Sequence, residues 1–353
     1  MKSVICVWCN NNSHEFEQQI PLNFLGKRNH ALGFSNQFEI LFLDGFDRID
    51  QQYKNSLEEL GYSLHDCSKI FASLSNQYSA LSRFGDYEKK CFLRWLVIEQ
   101  YLSGEAIAHY DGDIVFNEDP SILQQKMHNK TFMLQGCPAL ICISDKDWFN
   151  QYQSQLEVFV NNIEEYSEQA WQEREEWELS QENKWAGSRF RRIISSDQDF
   201  FSHLIHTDRI SQDNPQEIIS NLQSYILWEN PLYLHVYSPW NKNLPFRYKR
   251  INNIDFINEQ QVAFWHMQGY FVKYLGKYLY LKNILKFLNM RLTNEMEVLG
   301  GDKGEYFSKL TRKIIDKFHK NYSRLEIYNF YFKEKSFDDV FNNQVWWQKG
   351  VFV

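Results

Sequence analysis

The sequence predicts an α/β protein in which a mixed, mostly parallel sheet is flanked by helices. Strand-like and helix-like segments alternate through the first half of the chain, as they do in proteins built from strand–helix–strand units. Aromatic residues make up 17% of the 353 residues, and so much apolar surface requires a sizeable core. We therefore predict a large α/β domain over residues 1–274 and a basic helical extension over residues 275–353.

The predicted strands are short apolar runs bounded by polar residues, and they cover residues 4–8, 39–43, 106–110, 131–134 and 139–143. Helices are predicted around residues 50–60 and at 87–102. In the second of these, apolar residues from Tyr87 to Leu102 recur every three or four positions and predict one buried stripe. Sheets of this kind bind ligands beyond the carboxyl ends of their strands. The residues that follow each strand are therefore the candidates for a site.

Residues 150–192 differ in composition from the rest of the first half. Glutamates are interleaved there with Trp171, Trp177 and Trp185. The segment is predicted to be an acidic helix or helical hairpin inserted into the α/β domain, with a solvated face and aromatic anchors.

Charge is distributed unevenly along the chain. Residues 1–241 hold 19 basic and 34 acidic side chains, whereas residues 242–335 hold 18 basic and 9 acidic ones. The acidic body argues against nucleic-acid binding by the whole protein. The basic segment is predicted to be helical after about residue 274. It either packs on the core through its leucine stripe or lies on an anionic membrane surface.

The sequence predicts no membrane span, because no run of eighteen apolar residues occurs in it. The apolar run at residues 4–8 is too short for a signal peptide. We expect a cytoplasmic protein, which would meet the inner face of a membrane if its basic helices bind lipid. The pair Cys6 and Cys9 is interpreted as structural, because residues three apart on a strand point to opposite faces.

The strongest local signal is the predicted strand 106–110, which runs directly into Asp111, Gly112 and Asp113. Carboxylates two residues apart project to the same side of an extended backbone, and Gly112 leaves their approach open. Paired oxygen ligands at the end of a strand suit Mg²⁺ or Mn²⁺, either of which can hold a diphosphate. The motif therefore predicts a metal site.

Two later motifs follow the same logic. His266 ends a second apolar run and could supply an imidazole to the same metal, while Gly269 would let the backbone approach a phosphate. Asp197, Gln198 and Asp199 precede an apolar helical segment, a pattern that is typical of a helix cap and also compatible with a site.

In their order along the chain, Asp111-Gly112-Asp113, then Asp197-Gln198-Asp199, then His266 with Gly269, the motifs resemble the nucleotide-sugar glycosyltransferases of the GT-A fold, a Rossmann-like α/β fold. They look most like the retaining glycogenin and lipopolysaccharide galactosyltransferase group. The resemblance covers roughly residues 1–275 and includes the first strand and the pair Arg94-Trp95. It departs from the family's HxxGxxK pattern, because Val272 stands where the lysine is expected and Lys273 follows one residue late.

The resemblance implies a role for each motif. Asp111, Asp113 and His266 would bind Mn²⁺ or Mg²⁺. The implied catalytic residues are Asp197, Gln198 and Asp199. The residues implied to contact the nucleotide are Val7, Trp8, Arg94, Asp111, Gly112, Gly269 and Lys273. The implied reaction moves a sugar from a nucleotide diphosphate, most commonly a UDP-sugar, to a glycan or glycolipid, with retention.

Several alternatives remain open at this point. The protein could bind carbohydrate or a partner on the same fold without catalysis. Residues 111–115 also fit the nucleophile loop of a phosphohydrolase, and a nucleotidyltransferase would need a basic loop that residues 9–14 lack. In an inverting enzyme Asp197 or Asp199 would be the general base. The insertion at 150–192 could be a lid over the acceptor, because exposed tryptophan stacks on sugar rings.

Overall fold

The computed structural model describes residues 1–133, 138–180, 194–213, 225–228, 247–257, 259–267, 269, 271–273, 275–276, 279–280, 322–338 and 340. The chain forms two compact units. The first comprises residues 1–17 and 22–223, and the second comprises residues 18–21 and 224–353. The predicted boundary at residue 274, between the α/β domain and the basic helical extension, stays a prediction.

The first unit contains a six-stranded sheet. The strands of this unit are β1 (Lys2–Trp8), β2 (Phe38–Asp44), β3 (Ser63–Asp66), β4 (Ile107–Tyr110), β5 (Ile114–Phe116), β6 (Phe132–Met133) and β7 (Leu140–Ile143). All of them except β5 belong to the six-stranded sheet. The strand order in the sheet is β3-β2-β1-β4-β7-β6. The pairs β1–β2, β2–β3 and β1–β4 are parallel, whereas β7 is antiparallel to β4 and to β6. The predicted mixed, mostly parallel sheet is therefore confirmed, and the arrangement is compatible with a Rossmann-like fold.

Helices accompany these strands along the chain. They are α1 (Ser13–Gln19), α2 (Leu22–Ala31), α3 (Gln51–Glu59), α4 (Ser68–Gln77), α5 (Asp86–Leu102), α6 (Pro120–Lys126), α7 (Trp148–Asn161), α8 (Ile163–Ser180) and α9 (Asp197–His206). The predicted helices around 50–60 and at 87–102 correspond to α3 and α5.

Helix α5 is the central helix of the first unit. All residues from Lys90 to Ile98 are buried, and most of them belong to one core cluster with β1, β2 and β7. Acidic residues in its first turn suit the positive end of the helix dipole. The predicted stripe is wrong at its first position, because Tyr87 is 63% exposed. Helical spacing identifies the face of a helix but not where along that face the core ends.

The predicted insertion contains the helical pair α7 and α8 up to Ser180. Tyr152, Phe159 and Tyr166 pack in the core cluster, whereas Glu164 and Glu165 are exposed. The described part therefore has a solvated acidic face and aromatic anchors. The remainder of the predicted insertion, including Trp185, lies outside the described residues.

The second unit contains four described strands around a buried carboxylate. They are β8 (Tyr225–Trp228), β9 (Tyr248–Ile251), β10 (Ile254–Ile257) and β11 (Gln260–His266). Strand β11 is antiparallel to β10 and parallel to β8, and β10 is antiparallel to β9. The fully buried Asp255 accepts hydrogen bonds from Arg250 Nε at 2.6 Å, Tyr248 Oη at 2.7 Å and Trp265 Nε1 at 2.6 Å. These bonds join the three antiparallel strands.

The C-terminal part of the second unit is described in pieces. Residues 271–273, 275–276 and 279–280 are helical, and α10 (Arg324–Tyr328) continues into a π-helix at Asn329–Glu334. The predicted leucine stripe between 281 and 292 and the second basic helix near 306–321 lie outside the described residues. Within the described ranges, no helix has the length and apolar character needed to cross a membrane.

Candidate metal centre

The candidate metal centre begins at the carboxyl end of β4, where the chain turns into β5. The Asp111 backbone N–H donates to Ala139 O at 2.8 Å, and the Ile114 N–H donates back to Asp111 O at 3.1 Å. Asp111 and Asp113 therefore flank a tight turn instead of lying on an extended strand, which corrects the geometry expected from the sequence. Both residues, and Gly112 between them, are half-buried.

His266 ends β11 and completes a cluster with these carboxylates. One ligand atom each from Asp111, Asp113 and His266 lie within 4.8 Å of one another, so the group could hold a metal ion. In the described part of the chain it is the one cluster of this kind. The donor set fits Mn²⁺, which accepts carboxylate oxygen together with imidazole nitrogen, and it fits Mg²⁺ less well because Mg²⁺ favours oxygen. The three residues predicted to share a metal are thus brought together.

Arg94 of α5 connects this cluster to the second acidic motif. Its Nη1 donates to Asp111 Oδ1 at 2.7 Å and its Nη2 donates to Asp197 Oδ2 at 2.8 Å. The Arg94 and Asp197 side chains are only 6% and 7% exposed, and the guanidinium also lies 4.7 Å from the centre of the Trp95 ring. Burial alone would lower the pKa of Arg94, but Asp111 and Asp197 outweigh it and raise the pKa well above its usual range. Arg94 is therefore permanently charged.

The second acidic motif serves as a helix cap and also contributes to this cluster. The side chain of Ser196 accepts a hydrogen bond from the Asp199 N–H at 3.1 Å, and Asp199 Oδ2 accepts one from the Ser195 N–H at 3.3 Å. Asp199 is thereby engaged in starting α9. Asp197, in the same first turn, reaches Arg94, and Gln198 between them is exposed.

Residues that sequence analysis did not select lie at the same edge of the sheet, beyond β1 and β2. The ring of Tyr87 meets the ring of Trp8 edge-on, with 5.5 Å between their centres. Lys90 Nζ lies 5.5 Å from the centre of the Trp8 ring and 3.5 Å from Asp44 Oδ2. Two sequence signals could have indicated them. The first is that Asp44 ends a strand. The second is that Tyr87 precedes Arg94 by seven residues, so Tyr87 and Arg94 lie on one face of α5.

The other residues implied to contact a nucleotide have varied surroundings. Val7 is fully buried, so only its backbone could meet a ligand, whereas Trp8 is half-buried. Gly269 and Lys273 are exposed, and a side-chain carbon at Gly269 would meet no atom within 4 Å. The space beside Gly269 is consistent with a close backbone approach.

Comparison of the chain with protein families, curated proteins and solved structures finds no match.

Proposed function

We propose that this chain is a metal-dependent glycosyltransferase of the GT-A type. It would move a sugar from a nucleotide diphosphate donor, with UDP-sugars as the first candidates, to a glycan or glycolipid, with retention. The observation that carries the proposal is the cluster of Asp111, Asp113 and His266, because its atoms lie close enough to share one ion. Its carboxylates follow β4 at the edge where sheets of this kind bind ligands.

The charge of the site supports a metal-dependent rather than a metal-free reaction. Asp111 and Asp197 both bond to Arg94, and Asp113 lies beside Asp111 in the same cluster. A divalent cation held by these carboxylates would offset the repulsion between them and a diphosphate. The carboxylates therefore favour binding of a diphosphate together with a cation.

The residues that would hold the cation are Asp111, Asp113 and His266. When bound, a divalent cation neutralises the diphosphate and acts as a Lewis acid on the leaving group. Arg94 keeps the Asp111 carboxylate in one orientation through its short bond to Oδ1. Its permanent charge would also stabilise the negative charge that develops on the leaving group, which is electrostatic preorganisation.

The motif at the start of α9 would meet the sugar. Asp197 is held by Arg94 and can stabilise positive charge at the anomeric carbon or orient an acceptor hydroxyl. Gln198 is exposed beside it and can reach a ligand arriving from solution. Asp199 acts on Asp197 indirectly, because its bond to the Ser195 N–H holds the first turn of α9 in place.

The test is a thermal-shift titration with UDP, GDP and ADP and their sugars, with and without Mn²⁺. We expect at least one nucleotide to raise the melting temperature only when Mn²⁺ is present, because a ligand of the folded state stabilises it by mass action. Asp113→Asn should abolish this effect, and Asp47→Asn, at an exposed aspartate, should leave it intact.

Three outcomes would count against the proposal. Binding that ignores Mn²⁺, or that survives Asp113→Asn, would remove the metal site from the mechanism. Mn²⁺-dependent binding without transfer or hydrolysis across the donor panel would favour a non-catalytic carbohydrate-binding protein. Cleavage of a generic phosphate ester without nucleotide release would favour a phosphohydrolase.

The proposal includes a cytoplasmic location with peripheral contact to a membrane. It is supported by the excess of nine positive charges in residues 242–335, since each basic residue near an anionic surface contributes about 1 kcal/mol. Co-sedimentation with phosphatidylserine-containing liposomes should occur at low salt and disappear at high salt. Absence of co-sedimentation at low salt would refute this part.

A further inference from the structure

Four side chains of the first unit form a continuous hydrogen-bonded chain, which we call the tyrosine relay. The Tyr101 hydroxyl oxygen lies 2.5 Å from His65 Nδ1, and His65 Nε2 lies 2.6 Å from Glu39 Oε2. At its other end, Lys2 Nζ donates to Glu39 Oε1 at 2.9 Å. The relay therefore joins α5 to three adjacent parallel strands, β3, β2 and β1.

The sheet places the relay on the face that α5 covers. Glu39 precedes Leu41 by two residues on β2, and alternate residues of a strand face the same side. His65 is the register partner of Leu41, and Leu41 belongs to the core cluster that includes α5. Tyr101 follows Arg94 by seven residues, or about 10 Å along the helix axis. The relay is therefore separate from the carboxylates that bond to Arg94.

The chemistry of Glu39 fixes the tautomer of His65. Burial would raise the pKa of Glu39, but hydrogen bonds from Lys2 and His65 outweigh it and lower the pKa. An ionised carboxylate can only accept hydrogen bonds, so the ring proton of a neutral His65 lies on Nε2. Nδ1 then carries a lone pair, and the Tyr101 hydroxyl donates to it. A base that is oriented by a third group and faces a hydroxyl is the arrangement that activates nucleophiles.

Exposure to solvent increases along the relay toward the phenol. The Glu39 side chain is 17% exposed and that of His65 is 24% exposed, whereas Tyr101 is 37% exposed. Burial, and then the neighbouring Cys67 and Glu39, raise the pKa of the Tyr101 phenol, so it does not ionise in advance. Its proton can instead pass to His65 while a new bond forms, which is general base catalysis.

The charges around the relay favour an uncharged reaction partner. Glu39 and Glu105 both act on the charge of Lys2, so two carboxylates and one ammonium group lie at this place. A phosphoryl donor carries several negative charges, which these carboxylates would repel. An activated acyl donor with an uncharged carbonyl group meets no such repulsion.

We infer that Tyr101 is a nucleophilic tyrosine that accepts an acyl group from an activated acyl donor, with His65 as its base. The Tyr101 oxygen attacks the carbonyl carbon, and the phenolic proton passes to His65 Nδ1. The bond from that carbon to the leaving group then breaks, and the imidazolium returns the proton to the leaving group. The products are an O-acyl tyrosine and the protonated leaving group. Glu39 is a positioning residue, and the site is independent of the proposed glycosyltransferase function.

The experiment treats the full chain with N-acetylimidazole in the presence of N-acetyltyrosinamide, a free phenol that serves as the reference. Peptide mass spectrometry gives the acetylation rate at each site, and hydroxylamine, which removes acetyl groups from tyrosine but not from lysine, separates Tyr101 from Lys2. A second arm uses acetyl phosphate, which can transfer either an acetyl or a phosphoryl group. The variants are His65→Gln and Glu39→Gln, and the matched control is His128→Gln, at an exposed histidine.

Tyr101 should be acetylated on the order of tenfold faster than the free phenol, although it is only 37% exposed. His65→Gln should lower the rate to that of the free phenol or below it, and added imidazole should restore part of the difference. Glu39→Gln should lower the rate severalfold, because an amide can donate as well as accept and no longer fixes the tautomer. His128→Gln should match wild type.

Three results would overturn the inference. The first is acetylation of Tyr101 no faster than that of the free phenol. The second is an unchanged rate in His65→Gln, and a lower melting temperature with that unchanged rate would identify the relay as a clamp between α5 and β3. The third is transfer of a phosphoryl group from acetyl phosphate to Tyr101. Recovery with imidazole distinguishes a lost base from a lost fold, since imidazole can replace only the base.

Discussion

Replacing Arg94 by methionine tests the electrostatic core of the site. The substitution keeps much of the side-chain volume but removes the guanidinium that bonds to both Asp111 and Asp197. Asp197, whose side chain is 7% exposed, would then be a buried charge without compensation, whereas Asp111, at 28%, can recover some water. Breaking a buried pair from one side costs about 3–5 kcal/mol. We place the loss of unfolding free energy in that range, with most of it arising at Asp197.

The assay is urea unfolding followed by tryptophan fluorescence, with the slope checked so that the change can be assigned to stability. Arg83→Met is the matched control, because Arg83 forms an ion pair with Glu164 at 3.0 Å but both side chains are exposed. Such surface pairs contribute about 1 kcal/mol or less. Arg94→Lys should lose an amount of unfolding free energy between those of Arg94→Met and Arg83→Met. Lysine keeps the charge, but it lacks the planar guanidinium that bonds to both carboxylates.

Equal losses for Arg94→Met and Arg83→Met would refute the reasoning. That result would mean that water or structural relaxation compensates the two carboxylates, and that Arg94 does not hold them in a fixed arrangement. The preorganisation assigned to Arg94 in the proposed mechanism would then lose its structural basis.

Two other predictions concern the scaffold. Asp255→Ala should lower the unfolding free energy of the second unit by about 3–5 kcal/mol, because the buried Tyr248 and Trp265 and the half-buried Arg250 lose their common acceptor. A loss under about 1 kcal/mol in urea titrations would contradict this. Gly45→Ala should lower the melting temperature far more than Gly33→Ala. Both glycines have a positive φ, which costs alanine about 1–2 kcal/mol. At Gly45, but not at Gly33, the new side-chain carbon would also lie only 2.0 Å from Cys9 O. Equal melting temperatures for these two variants would show that the loop at Gly45 relaxes freely.

Most elements of the first unit could be predicted from local patterns. Apolar runs and helical spacing are imposed by burial on the residues themselves, so β1, β2, β4 and α5 could be predicted close to their observed bounds. The exposure of Tyr87 could not, because it depends on what the first turn of α5 faces. Likewise, an apolar run does not reveal its direction in a sheet, and the antiparallel pairing of β7 had to come from the structure.

The candidate metal ligands could be predicted from the sequence for a similar reason. Asp111, Asp113 and His266 each follow or end a strand-like run, and carboxylate oxygen and imidazole nitrogen are both metal donors. Their grouping within 4.8 Å is a tertiary fact, since 153 positions separate Asp113 from His266 in the chain.

Local sequence patterns are enough to predict the alternation of strands and helices and the residue types that could bind a metal. Both are properties of short segments, in which burial and ligand chemistry constrain each residue separately. The pairing of Arg94 with Asp111 and Asp197 depends on the fold, because these residues lie 17 and 103 positions away along the chain. A guanidinium can satisfy any two carboxylates that the fold brings within reach, so no local pattern in the sequence specifies which ones they are.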